Sequence, residues 1–393
     1  MKHSILLIIT LLIFGTSSAQ RYKQPIFQES RVSKNIKYGE NINYLNTNEE
    51  LYLDIYEPKN DNETLRPVIV YIHGGGFTDK NQSKELLHII AFADSFARRG
   101  YVVATINYRL DSTISNRAIV NAMHDAKAAV RFLRKNASTY QIDTDYIFIG
   151  GESAGAITSL NTTYLDKANE INYPPTNPQS LDKTVEGTSG SSGFSSKTTA
   201  VLCLCGGTKT VLNDLLFDTT AIETSKDAPL LFLHGTSDPL ISVPASLEIA
   251  LRAKNLGVPQ LYYPLYGATH CPWFYPLNNS WKYLDTLVDY TSSFLYAFVQ
   301  HKNTGLSNLE ESQTVAYPNP SHDDVFVQLE QIMGDKVSIT AINAIGQSID
   351  LSYNQKENKL LQIITSKLEN GLYIISIKQK NSKPEMTFRF MKQ

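Results

Sequence analysis

One short stretch limits what this chain can fold into more than any other: Ile147, Phe148, Ile149, Gly150, Gly151, Glu152, Ser153, Ala154, Gly155 and Ala156. An apolar run of strand character ends at Gly150, a Gly-x-Ser-x-Gly follows at once, and an Ala-rich segment of helical character begins directly after. That order predicts a buried strand, a tight turn and a helix, with Ser153 presented on the turn as a nucleophile elbow. So sharp a turn strains the backbone of its central residue, and the neighbours must be small to avoid the strand and helix on either side. Gly151, Ala154 and Gly155 meet that demand.

The chain upstream supplies a second motif. Val68 to Ile72 is continuously apolar and β-branched, as suits a buried parallel strand, and it runs into His73, Gly74, Gly75, Gly76 and Phe77. Three glycines in a row let the backbone approach a ligand closely and leave amide N–H groups to face an oxygen that becomes negative during acyl transfer. Gly75 or Gly76, with the N–H of Ala154, are therefore the candidate oxyanion hole. A phosphate loop is disfavoured, because the lysine of a Walker loop is missing and no Gly-x-Gly-x-x-Gly is present.

Strands and helices then alternate. Leu86 to Arg98 and Ala118 to Arg134 read as helices, Val102 to Ile106 and Tyr146 to Ile149 as strands, which implies a mostly parallel sheet with helices on both faces. Leu51, Leu53 and Ile55 alternate with Tyr52, Asp54 and Tyr56, the pattern of a strand exposed on one face at a sheet edge. Residues 20–48 carry little signal. Asp125 and Arg131 read as structural polar groups. Residues 166–199 break the rhythm with Pro174, Pro175, Pro178 and the run Gly187 to Gly193, and are expected to be a surface insertion, a lid being the sharper alternative. Strand signals return at Val201 to Cys205, Leu230 to Leu233 and Leu261 to Leu265, before a last amphipathic helix marked by Trp281, Leu284, Leu287, Val288, Leu295 and Phe298.

Two of these late strands are followed by the residues a serine nucleophile needs. Asp238 lies in His234-Gly235-Thr236-Ser237-Asp238-Pro239, and His270 in Gly267-Ala268-Thr269-His270. A lone Asp in a turn is usually a turn former and a lone loop His is usually solvated, so the order Ser153, Asp238, His270 carries the assignment. His73 and His234 read as positional, and Asp227 falls before its strand, at the wrong end of a sheet. In such a triad His270 removes the Ser153 proton and Asp238 orients the imidazole, with no need for a metal or a cofactor. Phe77 and Trp273, with Phe274 and Tyr275, flank the catalytic loops and are the candidate substrate-binding wall, ordinary packing being the alternative.

With 393 residues, 42% hydrophobic and 19% charged, the chain has the composition of two or three core-forming domains. A net charge of -2 without a long basic run gives no electrostatic reason for a nucleic-acid partner. At the N-terminus Met1, Lys2 and His3 precede the apolar run Ile5 to Phe14 and the small residues Ser17, Ser18 and Ala19, so residues 1–19 are expected to be a cleaved signal peptide. No later segment approaches the apolar length a bilayer needs, and no membrane span is expected in the mature protein. Cys203 and Cys205, two apart on a strand, would share a face and not bridge each other. Three unpaired thiols are the expectation, a Cys205–Cys271 pair being the alternative open to an exported chain. The hydrolytic unit is placed at 20–303, a polar linker at 304–313, and a small all-β sandwich at 314–393, with strand patterns at Val325 to Val327, Val337 to Ile339, Leu360 to Ile364, Gly371 to Ile377 and Met386 to Met391.

The HGGGF, GGESAGA, GTSDP and GATH segments together resemble the α/β-hydrolase carboxylesterases, in particular secreted bacterial esterases similar to the acetyl and feruloyl esterases of polysaccharide breakdown, over about residues 48–303. Glu152 before the nucleophile is similar to type B carboxylesterases, although this segment is far shorter than theirs. The resemblance implies a serine carboxylic-ester hydrolase acting through an acyl-enzyme on short-chain or aryl esters, with polysaccharide substituents among the candidate substrates. A serine peptidase of the same fold and a non-catalytic binding or adhesion module are the alternatives. The YPNP opening at Tyr317 and the GLYIISI run resemble the C-terminal sorting domain of the type IX secretion system, which implies the secretion machinery as partner, export through periplasm and outer membrane, and removal of the domain. A carbohydrate-binding or adhesive sandwich is the other reading of that segment.

Overall fold

The computed structural model describes residues 21–167, 170–171, 184–208, 218–274, 282–299, 316–317, 324–328, 337–343, 348–356, 360–379 and 386–392. The expected signal peptide 1–19, the linker 304–313, Trp281, Tyr275 and the Pro174 to Pro178 part of the insertion lie outside the described residues. The chain divides into two units, Met1–Gly305 and Leu306–Gln393.

In the first unit, strands β1 (Ser30–Ile42), β2 (Asn48–Pro58), β3 (Arg66–Ile72), β4 (Val102–Ile106), β5 (Ile142–Glu152), β6 (Ala200–Leu204), β7 (Leu230–Gly235) and β8 (Gln260–Leu265) form one sheet in the order β1-β2-β4-β3-β5-β6-β7-β8. β2 pairs antiparallel with β1 and β4, and every later pairing is parallel. Among the described residues five α-helices accompany it: α1 (Leu87–Ala97), α2 (Asn116–Lys135), α3 (Ala154–Tyr164), α4 (Val243–Asn255) and α5 (Lys282–Val299). Every residue of β3, β4, β6 and β7 is buried, which explains why these strands read as unbroken apolar runs.

Alternate residues of β3 feed two cores. Val68, Val70 and Ile72 pack with Val120, Met123, Val130 and Leu133 of α2, whereas Ile69 and Tyr71 pack with Ile89, Phe92 and Phe96 of α1 and Leu284, Leu287 and Leu295 of α5. Each such side chain contributes about 1.5–3 kcal/mol when taken fully out of water. Helix α2 starts where Ser115 Oγ accepts from the Ala118 N–H at 3.2 Å and ends on Arg134 and Lys135, which suit the negative end of its dipole.

Several expectations need correction. The strand at 51–56 is not an edge, because β1 covers it. β1 escaped notice because its pairing shifts register between Ser33 and Ile36 and again between Lys37 and Gly39, which breaks the alternation. Asp54, placed on the exposed face by the pattern, is buried and accepts from Lys84 Nζ at 2.7 Å and the Asn35 N–H at 2.7 Å. The described part of the insertion is tied to β1 and α2: Ser189 O accepts from the Glu40 N–H at 2.9 Å, Ser189 Oγ donates to Asp125 at 2.6 Å, and Arg131 donates to Glu186 O at 2.8 Å. Cys205 and Cys271 form a disulfide, and Cys203 is a buried free thiol. β6 ends at Leu204 and Cys205 takes a φ of 46°, so Cys203 and Cys205 enter opposite cores instead of sharing a face.

The second unit holds β9 (Ala316–Tyr317), β10 (Val325–Gln328), β11 (Val337–Asn343), β12 (Ser348–Leu351), β13 (Tyr353–Lys356), β14 (Leu360–Ile363), β15 (Gly371–Gln379) and β16 (Met386–Lys392). They form two antiparallel four-stranded sheets, β13-β14-β10-β9 and β12-β11-β15-β16. Val325, Val327, Leu361 and Ile363 from one sheet and Ile339, Ile375, Ile377 and Phe390 from the other share one core. Among the described residues no helix is long and apolar enough to cross a membrane.

Candidate active site

β5 delivers Ser153 into the turn before α3. Its backbone sits at φ 54° and ψ -117°, a region that non-glycine residues avoid, and its N–H donates to Leu204 O at 2.9 Å. The small neighbours are dictated by close approach: a Cβ on Gly155 would lie 2.1 Å from Ile72 O. Ala154 is the first residue of α3, where N–H groups have no partner within the helix and the dipole favours negative charge.

Ser153 follows β5, Asp238 follows β7 and His270 follows β8, so the parallel sheet brings all three to the carboxyl ends of its strands. His270 Nε2 lies 2.8 Å from Ser153 Oγ and His270 Nδ1 lies 2.7 Å from Asp238 Oδ2. With Nδ1–H donating to the carboxylate, Nε2 is left to accept the serine proton. Asp238 Oδ1 accepts from the N–H groups of Leu240 at 2.8 Å and Ile241 at 2.9 Å, and Oδ2 also contacts His234 Nε2 at 3.1 Å. Burial pushes the Asp238 carboxyl up, but the bonds from His234, His270, Ile241 and Leu240 outweigh it and hold the group well below the usual carboxylate range.

His234, read as positional from its turn, thus touches the acid of the triad directly. Its other ring nitrogen lies 2.8 Å from Ser246 Oγ on α4, and Ser246 Oγ lies 3.0 Å from Tyr262 OH on β8.

The glycine loop lies over the nucleophile: a Cβ on Gly74 would come within 3.3 Å of Ser153 Cβ. Gly75 takes a φ of 107° and its carbonyl accepts from the N–H groups of Thr78 at 3.1 Å and Asp79 at 3.0 Å, closing a turn that only glycine enters without strain. Tyr108 OH reaches the carbonyls of His73 at 3.1 Å and Gly74 at 3.2 Å, and its ring stacks on His73 at 4.5 Å. Burial lowers His73 to about 4, so at neutral pH the ring is uncharged, with Nδ1 2.8 Å from Gly74 O.

The expected aromatic wall is dispersed. Phe77 is 1% exposed in the α2-side core and Trp273 is 1% exposed in the α1-side core, so the two do not form one surface. Phe274, partly buried, is the described aromatic of that set that stays beside the nucleophile, its ring edge-on to His270 at 6.5 Å and stacked on His88 at 4.7 Å.

Trp273 instead serves a network that sequence reasoning missed. Glu152, fully buried next to Ser153, accepts from Trp273 Nε1 at 2.9 Å and Tyr71 OH at 3.1 Å and contacts His88 Nε2 at 2.7 Å. The available signal was that a carboxylate inside a buried strand must find partners. Nothing in the local pattern says which, because they come from β3, α1 and the loop after β8.

For metals, one group among the described residues brings ligand atoms together: Cys205, His270 and Cys271, all within 4.8 Å of one another, with the two sulfurs joined as a disulfide.

Residues 53–208 match the BD-FAE family and residues 315–392 match the secretion system C-terminal sorting domain. Gut esterase 1 of Caenorhabditis briggsae is 36% identical over 119 residues, 29% of this chain and 21% of that protein. Juvenile hormone esterase of Tribolium castaneum is 32% identical over 112 residues, 27% of this chain and 18% of that protein. The chain therefore spans about a fifth of the length of these curated relatives. Among solved structures, a truncated carbohydrate esterase from gut microbiota superposes with a TM-score of 0.51 at 20% identity, covering 68% of this chain and 97% of that one, which is a likeness of fold. The chain thus joins an α/β-hydrolase fold, matched over residues 53–208 by the BD-FAE family, to a segment matched over residues 315–392 by the secretion system C-terminal sorting domain, the mark of an exported protein.

Proposed function

We propose that this chain is an exported serine carboxylic-ester hydrolase that cleaves short-chain or aryl esters, including those that substitute polysaccharides, through an acyl-enzyme. The observation that carries the reading is the unbroken relay from Asp238 through His270 to Ser153, at 2.7 Å and 2.8 Å, beneath a glycine loop that lies on the nucleophile. Ser153 Oγ attacks the ester carbonyl while His270 Nε2 takes its proton. Asp238, ionised because four donors hold it so, orients the imidazole and offsets the positive charge that develops on it. The N–H of Ala154 and of Gly75 or Gly76 receives the oxyanion, each such donor typically contributing on the order of a hundred- to a thousandfold in rate. His270 then gives its proton to the departing alcohol, and water admitted by the same base releases the acid.

The test is hydrolysis of a 4-nitrophenyl ester series from acetate to long-chain acyl, with feruloyl and acetylated-xylan substrates alongside, by wild type and Ser153→Ala. Cleavage of short or aryl esters that vanishes in the variant supports the reading, and the preferred acyl length sizes the pocket. A wild type as inert as the variant towards every ester, but active on peptides, would reassign it as a peptidase.

A further inference from the structure

The disulfide sits beside the imidazole that faces the nucleophile. Cys271 follows His270 directly, with its Sγ 3.6 Å from His270 Nε2, and both sulfurs and the imidazole nitrogen fall within 4.8 Å of one another. Two thiolates and one imidazole are a ligand set that zinc and its softer congener cadmium favour, with metal–sulfur distances of about 2.3 Å and metal–nitrogen distances of about 2.0 Å around one centre. Joined to each other, the sulfurs offer no thiolate. Reduction by a dithiol or phosphine adds two electrons and two protons across the S–S bond and returns two thiols, and a divalent cation displaces both protons when it binds.

Whether the freed thiols stay next to His270 depends on what else holds the loop. Trp273 Nε1 donates to Glu152 at 2.9 Å, the Phe274 ring stacks on His88 at 4.7 Å, and His270 Nδ1 is held by Asp238 at 2.7 Å. On the other side, the Cys205 N–H donates to Leu233 O at 2.8 Å. None of these ties runs through the S–S bond, so the backbone on either side keeps its place when it is cut, and the two sulfurs move apart by side-chain rotation to the spacing that one shared cation needs.

We propose that reduced Cys205 and Cys271, with His270 Nε2, form a binding site for a soft divalent cation at the candidate active centre, and that the disulfide closes this site. Ser153 Oγ, 2.8 Å from Nε2, is at hand for a fourth position. A cation on Nε2 occupies the lone pair that would receive the Ser153 proton, so an occupied site silences the nucleophile. That consequence rests on the esterase reading, whereas the metal site does not. An exported chain leaves a reducing compartment for an oxidising one, and closing the bond there removes the site at the point where activity is needed.

The folded full-length protein, oxidised or reduced with a phosphine, is titrated with Cd2+ while the ultraviolet thiolate-to-cadmium band is read, and fluorophosphonate labelling of Ser153 is followed in parallel. Reduced wild type and reduced Cys203→Ala are expected to take up one cation, the oxidised protein none, and the reduced Cys205→Ser/Cys271→Ser variant to lose the band. Reduced His270→Ala binds at least about tenfold more weakly. Labelling falls by about a hundredfold or more in the cadmium-loaded reduced protein, since the base is removed, and returns with a chelator. No uptake by reduced wild type, uptake unchanged by the double substitution, or loss of near-ultraviolet circular dichroism on reduction alone would each overturn the site. Uptake that leaves labelling untouched would overturn the assignment of Nε2 as ligand. Uptake in a protein that is never labelled, even when oxidised, supports the site and contradicts the esterase reading instead.

Discussion

Two buried carboxylate–imidazole pairs flank Ser153, and they are nearly identical in their first contact. Asp238 meets His270 at 2.7 Å and Glu152 meets His88 at 2.7 Å, with both carboxylates shut away from solvent. They part company one atom further on. The far nitrogen of His270 reaches Ser153 Oγ at 2.8 Å, whereas the His88 ring lies against Phe274 at 4.7 Å. Their other partners differ in kind as well. Asp238 is fed by backbone amides and by His234, which stabilise its charge at the mouth of the sheet, while Glu152 gathers Trp273 from the loop after β8 and Tyr71 from β3. A carboxylate–imidazole pair is therefore not catalytic by itself. On the proposed reading, the group at the far nitrogen decides whether such a pair moves a proton or braces a loop.

That contrast is broken most severely by removing each imidazole in turn. His270→Ala is expected to lower kcat/KM for a 4-nitrophenyl ester by about 10⁴-fold, and His88→Ala by no more than about tenfold. Asp238→Asn should cost about a thousandfold in kcat, because an amide that donates to Nδ1 selects the wrong tautomer of His270. Another buried imidazole, His73, whose Nδ1 faces the Gly74 carbonyl, gives the pH test. Its folded value of about 4 lies below the ordinary 6.5, so the unfolded chain takes up the proton first. The stability it contributes is fully present above pH 6.5 and is lost as pH falls towards 4, by up to about 3 kcal/mol. Urea unfolding across that window should show a shallower pH slope for His73→Phe than for wild type. Trp273→Phe takes one donor from Glu152 and should destabilise the fold by about 1–3 kcal/mol in the same assay, leaving kcat within about threefold. His234→Ala is the mildest: it removes one donor from the ionised Asp238, raises that carboxyl, and should lower kcat by about tenfold or less.

The elbow was legible because its causes are local. Glycine at 151 and 155 is required by backbone contacts within a few residues of Ser153 and with the neighbouring strand β3. Asp238 and His270 could be read from their order after successive strands, since a parallel sheet carries every such loop to one edge. What could not be read depends on contacts across the chain. Trp273 looked like substrate wall because nothing near it in sequence announces Glu152, which lies 121 residues away. His234 looked positional because its contact with Asp238 is a side-chain pairing within one short turn that the spacing alone does not specify, and Ser246 reaches its other nitrogen from α4. The Cys205–Cys271 disulfide stood as the alternative to three unpaired thiols, and the face expected to be shared by Cys203 and Cys205 is lost because β6 stops at Leu204. β1 was missed for the related reason that two register shifts erase its period. In the second unit β10, β11, β14, β15 and β16 stood out by their apolar and β-branched residues, while β12 and β13, of sequence SIDL and YNQK, carry too few to stand out.

The rate at which a fluorophosphonate labels Ser153 tests the division between the two pairs most directly, because it reads nucleophile activation without requiring the right ester. Labelling in His270→Ala should fall by about a thousandfold or more while His88→Ala stays within about tenfold of wild type. Equal losses in the two variants, or a His270→Ala protein labelled as fast as wild type, would contradict it.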